Sequence, residues 1–130
     1  MYETVSIETD SRGVATLWLD REEKHNALSA QMMTELEAAA RALAEDDDVR
    51  VVVLAADGPT FCAGGDLAWM REQFGMDAET RKRESRRIAT ALDALAALPQ
   101  PLIGRVQGNA FGGGLGLIAV CDGTGQTAKS

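Results

Sequence analysis

VRVVVLAADGPTFCAGGDL, residues 49–67, decides how this chain folds. Residues 49–56, apolar apart from Arg50 and rich in β-branched valine, read as a strand buried on both faces, as in a helix-covered parallel sheet. Residues 57–67 then form a glycine-bearing loop. The same order returns downstream: LIGRVQG (102–108) reads as another core strand, and Gly112, Gly113, Gly114 and Gly116 crowd the segment after it.

Working outward, TVSIET (4–9) alternates apolar and polar residues, DSRG (10–13) is turn material and VATLWL (14–19) is a second strand, so the two predict a hairpin. REEKHNAL (21–28) reads as a polar loop. Ser29 is an N-cap for a helix whose Met32, Met33, Leu36, Ala39, Ala40 and Leu43 recur at helical spacing and which ends near Glu45. A short helix is expected from Asp66 through Trp69 and Met70. Asp77 caps a longer one, with Ile88, Ala91, Leu92, Leu95 and Leu98 on one side and Pro99 and Pro101 ending it. LGLIAV (115–120) predicts a buried helix. The order β-β-α-β-α-β-α places the chain in the α/β class, with both glycine loops at the carboxyl edge of the sheet, where such folds keep their sites.

The 130 residues fit one domain, and a chain of this size buries roughly two-thirds of its unfolded surface. A hydrophobic content of 45 % argues against disorder, and a net charge of −7 against nucleic-acid binding. Cys62 and Cys121 lie in apolar settings, which fits a reduced cytoplasmic protein better than a disulfide scaffold. With His25 as the single histidine and no cysteine pair at ligand spacing, a zinc site has no basis. There is no membrane-length apolar segment and no signal-peptide pattern. The cluster Arg81, Lys82, Arg83, Arg86, Arg87 is either an exposed helix face or a phosphate site.

Several glycine-based readings fail. From Gly112 the dinucleotide pattern G-x-G-x-x-G meets Leu117 at its third glycine, and no G-x-S-x-G elbow is present. GTGQTAKS (123–130) approaches a phosphate-binding loop but has Ala128 for the second glycine and no helix after it. Two readings stay open for CAGGD (62–66) and FGGG (111–114). Both are close-packing turns, or their backbone N–H groups converge on one developing negative charge, a task glycine suits because no Cβ blocks the approach.

ATLWLDREEKHNALS (15–29), VVVLAADGPTFCAGGDL (51–67) and PQPLIGRVQGNAFGGGLGL (99–117) together resemble the crotonase superfamily of enoyl-CoA hydratases and isomerases. The resemblance implies an α/β, crotonase-like (ClpP/crotonase) fold of repeated ββα units and an acyl-CoA thioester as substrate, with no further cofactor or metal. It assigns the two oxyanion N–H donors to Gly65 and Gly113. It assigns substrate contacts to Lys24, Ala27 and Leu28, to Ala63, Gly64, Asp66 and Leu67, and to Gly112 and Gly116. Lys24 is then a phosphate partner of the coenzyme or a solvated lysine, and Asp66 a helix cap. Trp69, Met70 and Phe111 are pocket or core residues. Gly116 stands where crotonase-type hydratases place a catalytic glutamate. GGGLGL with DLAWM resembles the branch acting on branched acyl-CoAs such as 3-methylglutaconyl-CoA.

The resemblance covers residues 14–122 and implies a truncated relative: a partial core domain over 1–122 and an unrelated, disordered polar tail over 123–130. Full-length members form trimers or hexamers. The expected function is hydration or isomerisation of an enoyl-CoA, incomplete in this chain. The alternatives are a non-catalytic acyl-CoA-binding module and an inactive fragment.

Overall fold

A computed structural model describes residues 2–64, 66, 71–72, 75–110 and 113–126. Asp10 closes the first turn, its carboxylate accepting from the Arg12 and Val14 N–H groups, and so sets β1 (Val5–Thr9) antiparallel to β2 (Val14–Leu19). After a short 3-10 turn at Glu22–Lys24, the Ser29 hydroxyl accepts from the Met32 N–H at 3.1 Å and starts α1 (Ala30–Ala44). The six apolar residues expected on its inner face are the six it buries. β3 (Val51–Ala56) follows. Asp77 accepts from Thr80 N–H at 2.7 Å and caps α2 (Ala78–Ala96), which gives way to β5 (Leu102–Val106) after the Pro99 and Pro101 breaks. Two further short strands, β4 (Thr60–Cys62) and β6 (Asn109–Ala110), stand inside the glycine loops, and α3 (Gly113–Ala119) follows the second of them. Of the helix expected from Asp66 through Trp69 and Met70, Asp66 is described and is not helical, and 67–70 lie outside the described residues; 71–72 are helical.

With a last strand, β7 (Gly123–Gln126), the main sheet runs β1-β2-β3-β5-β7, parallel from β2 onward. Its order advances in one direction only. Right-handed crossovers between successive parallel strands then carry every helix to the same face, so the sheet is buried on one side. This corrects the reading of 49–56 as buried on both faces. In β3, Val52, Leu54, Ala55 and Ala56 are buried but Val51 and Val53 are only half-buried. β2 alternates likewise, and β5 buries Leu102, Gly104 and Val106 while exposing Ile103 and Arg105. On the open face the Arg105 guanidinium lies 4.9 Å from the Trp18 ring centre, sheltering the indole. The helix expected to be buried after the glycines, α3, buries Leu117 but leaves Leu115 58 % exposed.

The tail also departs from expectation. Residues 123–126 form β7 (Gly123–Gln126), an edge strand parallel to β5, while 127–130 lie outside the described residues. Parallel pairing joins main chain to main chain, so it needs no apolar side chain, which is why GTGQ carries no strand pattern. Asp122 sets the register: its N–H donates to Leu102 O at 2.7 Å and its carboxylate accepts from Leu102 N–H at 2.7 Å. Beside this turn, burial and then the Asp122 charge push the Cys121 thiol up to about 11.

Two outcomes follow. A Cβ at Gly108 would overlap the Pro59 carbonyl oxygen, whereas one at Gly125 would meet nothing within 4 Å. Gly108→Ala should lower the urea-unfolding free energy by about 2–3 kcal/mol or more, as overpacking against backbone does, while Gly125→Ala leaves it within about 0.5 kcal/mol. Raising a thiol's pKa empties its reactive thiolate form at neutral pH. Alkylation of Cys121 by iodoacetamide, followed by peptide mass, should therefore be slow at pH 8 and accelerate until the pH passes about 11.

Candidate functional site: two glycine loops and a docked third

The chain leaves β3 through Asp57–Pro59 into β4, and leaves β5 through Gln107 and Gly108 into β6. β4 and β6 pair in parallel, Thr60 opposite Asn109 and Cys62 opposite Ala110, so both glycine loops depart from the same end of one two-stranded ribbon. Main-chain contact makes this possible. Gly108 lies directly on the Pro59 carbonyl, and the neighbouring Gln107 amide donates to Gly58 O at 2.7 Å. Beyond the ribbon, a Cβ on Gly114 would stand 2.8 Å from both the Cβ and the carbonyl oxygen of Cys62. The first turn of α3 thus rests on the last residue of β4. Gly113 opens α3, Ala63 and Gly64 begin the facing loop, and Gly65, Leu67 and Gly112 lie outside the described residues.

Short strands escape periodicity analysis. The β-branched and aromatic TFC between Gly58 and Gly64 was the only signal of β4, and two-residue β6 offered none.

The segment 24–28 docks on the first glycine loop through main-chain bonds. Ala63 N–H donates to His25 O at 3.0 Å, Leu28 N–H to Gly64 O at 2.6 Å, and Asp66 N–H to Leu28 O at 2.9 Å. To make this approach, His25 and Asn26 both take left-handed conformations with φ of 54°. Asparagine tolerates that region better than most residues, and here it also has a bonding role. Asn26 is fully buried: its Oδ1 accepts from Arg21 N–H at 2.8 Å, and its Nδ2 donates to Asp57 O at 2.8 Å and Thr60 O at 3.0 Å. One amide side chain therefore ties the third loop to both ends of the turn before β4. Sequence reasoning passed over Asn26, whose signal was an asparagine at a position requiring positive φ.

Of the residues expected to contact substrate here, Ala27 and Leu28 are buried in the core, so they face away from solvent, whereas Lys24 is exposed on the 3-10 turn. Asp66, expected as a helix cap, is buried and forms an ion pair with Arg21 at 2.8 Å; the two side chains are 10 % and 19 % exposed. Arg21 Nη1 also donates to Ala27 O at 2.9 Å. Arg21 thus holds the third loop and the first glycine loop together, a role hidden in the sequence by the 45 positions between partners.

The chemistry offered is that of backbone dipoles. Burial pushes the Cys62 thiol up, against a smaller opposing effect of the Gly64 N–H, so it stays neutral rather than a thiolate nucleophile at neutral pH. Asp57 is likewise pushed up, first by burial and then by Asp20, with Glu22 and Glu8 adding repulsion. Among the described residues no group of three His, Cys, Asp or Glu side chains is arranged to hold a metal. Gly116 is half-buried on α3, where its Cβ would stand 3.1 Å from Leu92 Cδ1 of α2, so this position contributes packing and no acid–base group.

Comparison with known proteins agrees with this geometry. The enoyl-CoA hydratase/isomerase family matches residues 9–129, into the segment expected to be unrelated. Probable enoyl-CoA hydratase echA6 of Mycobacterium leprae is 39 % identical over 117 residues, covering 88 % of this chain and 44 % of that protein. A crystal structure of an enoyl-CoA hydratase from Shewanella pealeana superposes with a TM-score of 0.91 at 36 % identity, over 95 % of this chain and 46 % of that one. The enoyl-CoA hydratase structure from Mycobacterium smegmatis gives 0.89 at 41 % identity, over 95 % and 48 %. The chain spans about half the length of the relatives it matches. With three loops joined at one ribbon end and this similarity running nearly its full length, the chain belongs to the enoyl-CoA hydratase/isomerase family and carries the crotonase-like α/β fold.

Proposed function

We propose that this chain carries the thioester-polarising part of an enoyl-CoA hydratase or isomerase. The substrate carbonyl oxygen sits between the backbone N–H groups of Gly65 and Gly113, and negative charge that develops on it in the enolate-like transition state is stabilised there. The observation that carries this reading is the seating of Gly114 on Cys62, which brings the starts of the two glycine loops side by side; in the sequence Gly113 is next to Gly114, and Gly65 follows Cys62 by three residues. Backbone donors suit the task because they are fixed before the reaction and need no reorganisation during it.

In this reading the exposed Lys24 meets a coenzyme phosphate, and the Lys24–Leu28 segment, with Ala27 and Leu28 in its floor, holds the pantetheine arm. Ala63, Gly64, Asp66, Leu67, Gly112 and Gly116 border the acyl thioester. Because Gly116 has no side chain, the chain polarises a carbonyl without the glutamate expected there, and the stretches GGGLGL and DLAWM support branched acyl-CoAs such as 3-methylglutaconyl-CoA as the substrate class. The setting is a reducing cytoplasm, with both thiols free, and assembly is with further copies as in the family's trimers.

The test is calorimetry of the purified chain with an enoyl-CoA, beside an ultraviolet assay of crotonyl-CoA and 3-methylglutaconyl-CoA hydration. Saturable binding with at most slow turnover is expected; absence of any binding would sink the reading. Gly113 opens α3, so Gly113→Pro deletes its N–H at a position where proline is tolerated. Any measurable turnover should fall about 10²–10³-fold, with far-UV circular dichroism unchanged. Arg21→Ala leaves the Asp66 carboxylate buried without its guanidinium, so unfolding free energy should drop by about 3 kcal/mol and enoyl-CoA affinity should weaken with it. An Arg21→Ala protein as stable as the parent would rule out the clamp role.

A further inference from the structure

We propose, on the reading that Gly65 is an oxyanion donor, that Asn26 is the positioning residue for that donor and acts on it through the third loop. The main chain of Leu28 brackets position 65. Its N–H donates to Gly64 O at 2.6 Å, and its carbonyl accepts from Asp66 N–H at 2.9 Å. The residues before and after Gly65 are therefore both bound to one residue of the third loop. One step back, Ala63 N–H donates to His25 O at 3.0 Å. A donor aimed at a developing oxyanion must be fixed before the reaction begins, and here the fixing comes from outside the glycine loop.

Leu28 is placed in turn by the amide of Asn26, two residues before it. Nδ2 of Asn26 donates to Asp57 O at 2.8 Å and to Thr60 O at 3.0 Å, and Oδ1 accepts from Arg21 N–H at 2.8 Å. Thr60 opens β4, and Gly64 lies just past the end of that strand. The contacts close a ring: from Asn26 to Thr60, along β4 to Gly64, across to Leu28 and back to Asn26. With both crossings made by hydrogen bonds, Gly64 and Asp66 keep one place relative to β4. Arg21 tightens the same ring, through Ala27 O at 2.9 Å and the Asp66 carboxylate at 2.8 Å. The Asn26 side chain is fully buried, so water does not replace a donor lost there. Aspartate has nearly the same shape and keeps the acceptor, but its carboxylate would face the Asp57 and Thr60 carbonyls with no proton to give.

Infrared spectroscopy of crotonyl-CoA with an isotope-labelled thioester carbonyl, bound to the full chain, tests this. A carbonyl held between N–H donors stretches at lower frequency, and spectra taken at saturation are insensitive to changes in affinity. The parent should shift the band down. Asn26→Gly keeps the positive φ and loses the amide, so most of the shift should disappear. Asn26→Asp should lose it at neutral pH and recover part of it in acid, when the carboxyl regains one proton to donate to Asp57 O or Thr60 O. Burial raises the pKa of such a carboxyl, so recovery should begin above the ordinary carboxylate range. Asp20, Glu22 and Asp57 titrate nearby in parent and variant alike, so the parent, which should show no recovery, is the baseline. A residue that only stabilised the fold would alter unfolding and leave the band of the folded complex in place. Without ligand, hydrogen exchange at Leu28, Ala63 and Asp66 should quicken about tenfold in Asn26→Gly as local opening becomes easier. If Asn26→Gly does not fold, the pH series on Asn26→Asp decides. A parent that leaves the carbonyl band unshifted sinks the oxyanion reading and this role with it. A shifted parent band that persists in the variants overturns the role of Asn26 alone.

Discussion

Everything at the carboxyl edge depends on two main chains coming closer than any side chain permits. Gly108 lies against the carbonyl of Pro59, and Gly114 lies against Cys62. Between these contacts β6 can pair with β4, and only through that pairing do two loops separated by nearly fifty residues start from one place. Interiors are close-packed, so a single methyl group at either contact has no free volume to occupy. The glycines therefore set the distance between loops as firmly as a hydrophobic core sets the distance between a helix and a sheet.

The third loop is held by a different kind of force. Its anchor is polar, buried and bonded at both ends of the amide: Asn26 accepts from Arg21 and donates to Asp57 and Thr60. A buried amide with these partners contributes little net energy compared with the cost of losing one of them, because each abandoned group would stay desolvated. The Arg21–Asp66 pair works in the same way, favouring one arrangement of the loops more than it raises stability. Apolar packing builds the scaffold beneath, and these bonds specify how the loops sit on it.

Much of the scaffold was legible from local pattern. The hairpin, the Ser29 and Asp77 caps and the buried stripe of α1 rest on interactions within a few residues of each other, so spacing alone reveals them. Misread features each depended on a distant neighbour. Val51, Val53 and Ile103 are apolar, yet they lie on the half-exposed side of a sheet whose helices all fall on the other face. GTGQ has no strand pattern, yet Asp122 starts it in register beside β5. The ion pair of Asp66 with Arg21 was invisible for the same reason, its partner being remote in the chain.

By itself the sequence determined the α/β class, the order of the long elements, the caps, the two glycine loops, and a motif set specific enough to point to the family. Those are properties of periodicity and residue type, which are written along the chain. Only the tertiary structure decided that β4 and β6 form a ribbon, that Gly114 seats on Cys62, and that Asn26 and Arg21 bind the third loop. Each is a contact between residues far apart in sequence. Its existence depends on strand order and crossover handedness, and neither is encoded in any local stretch.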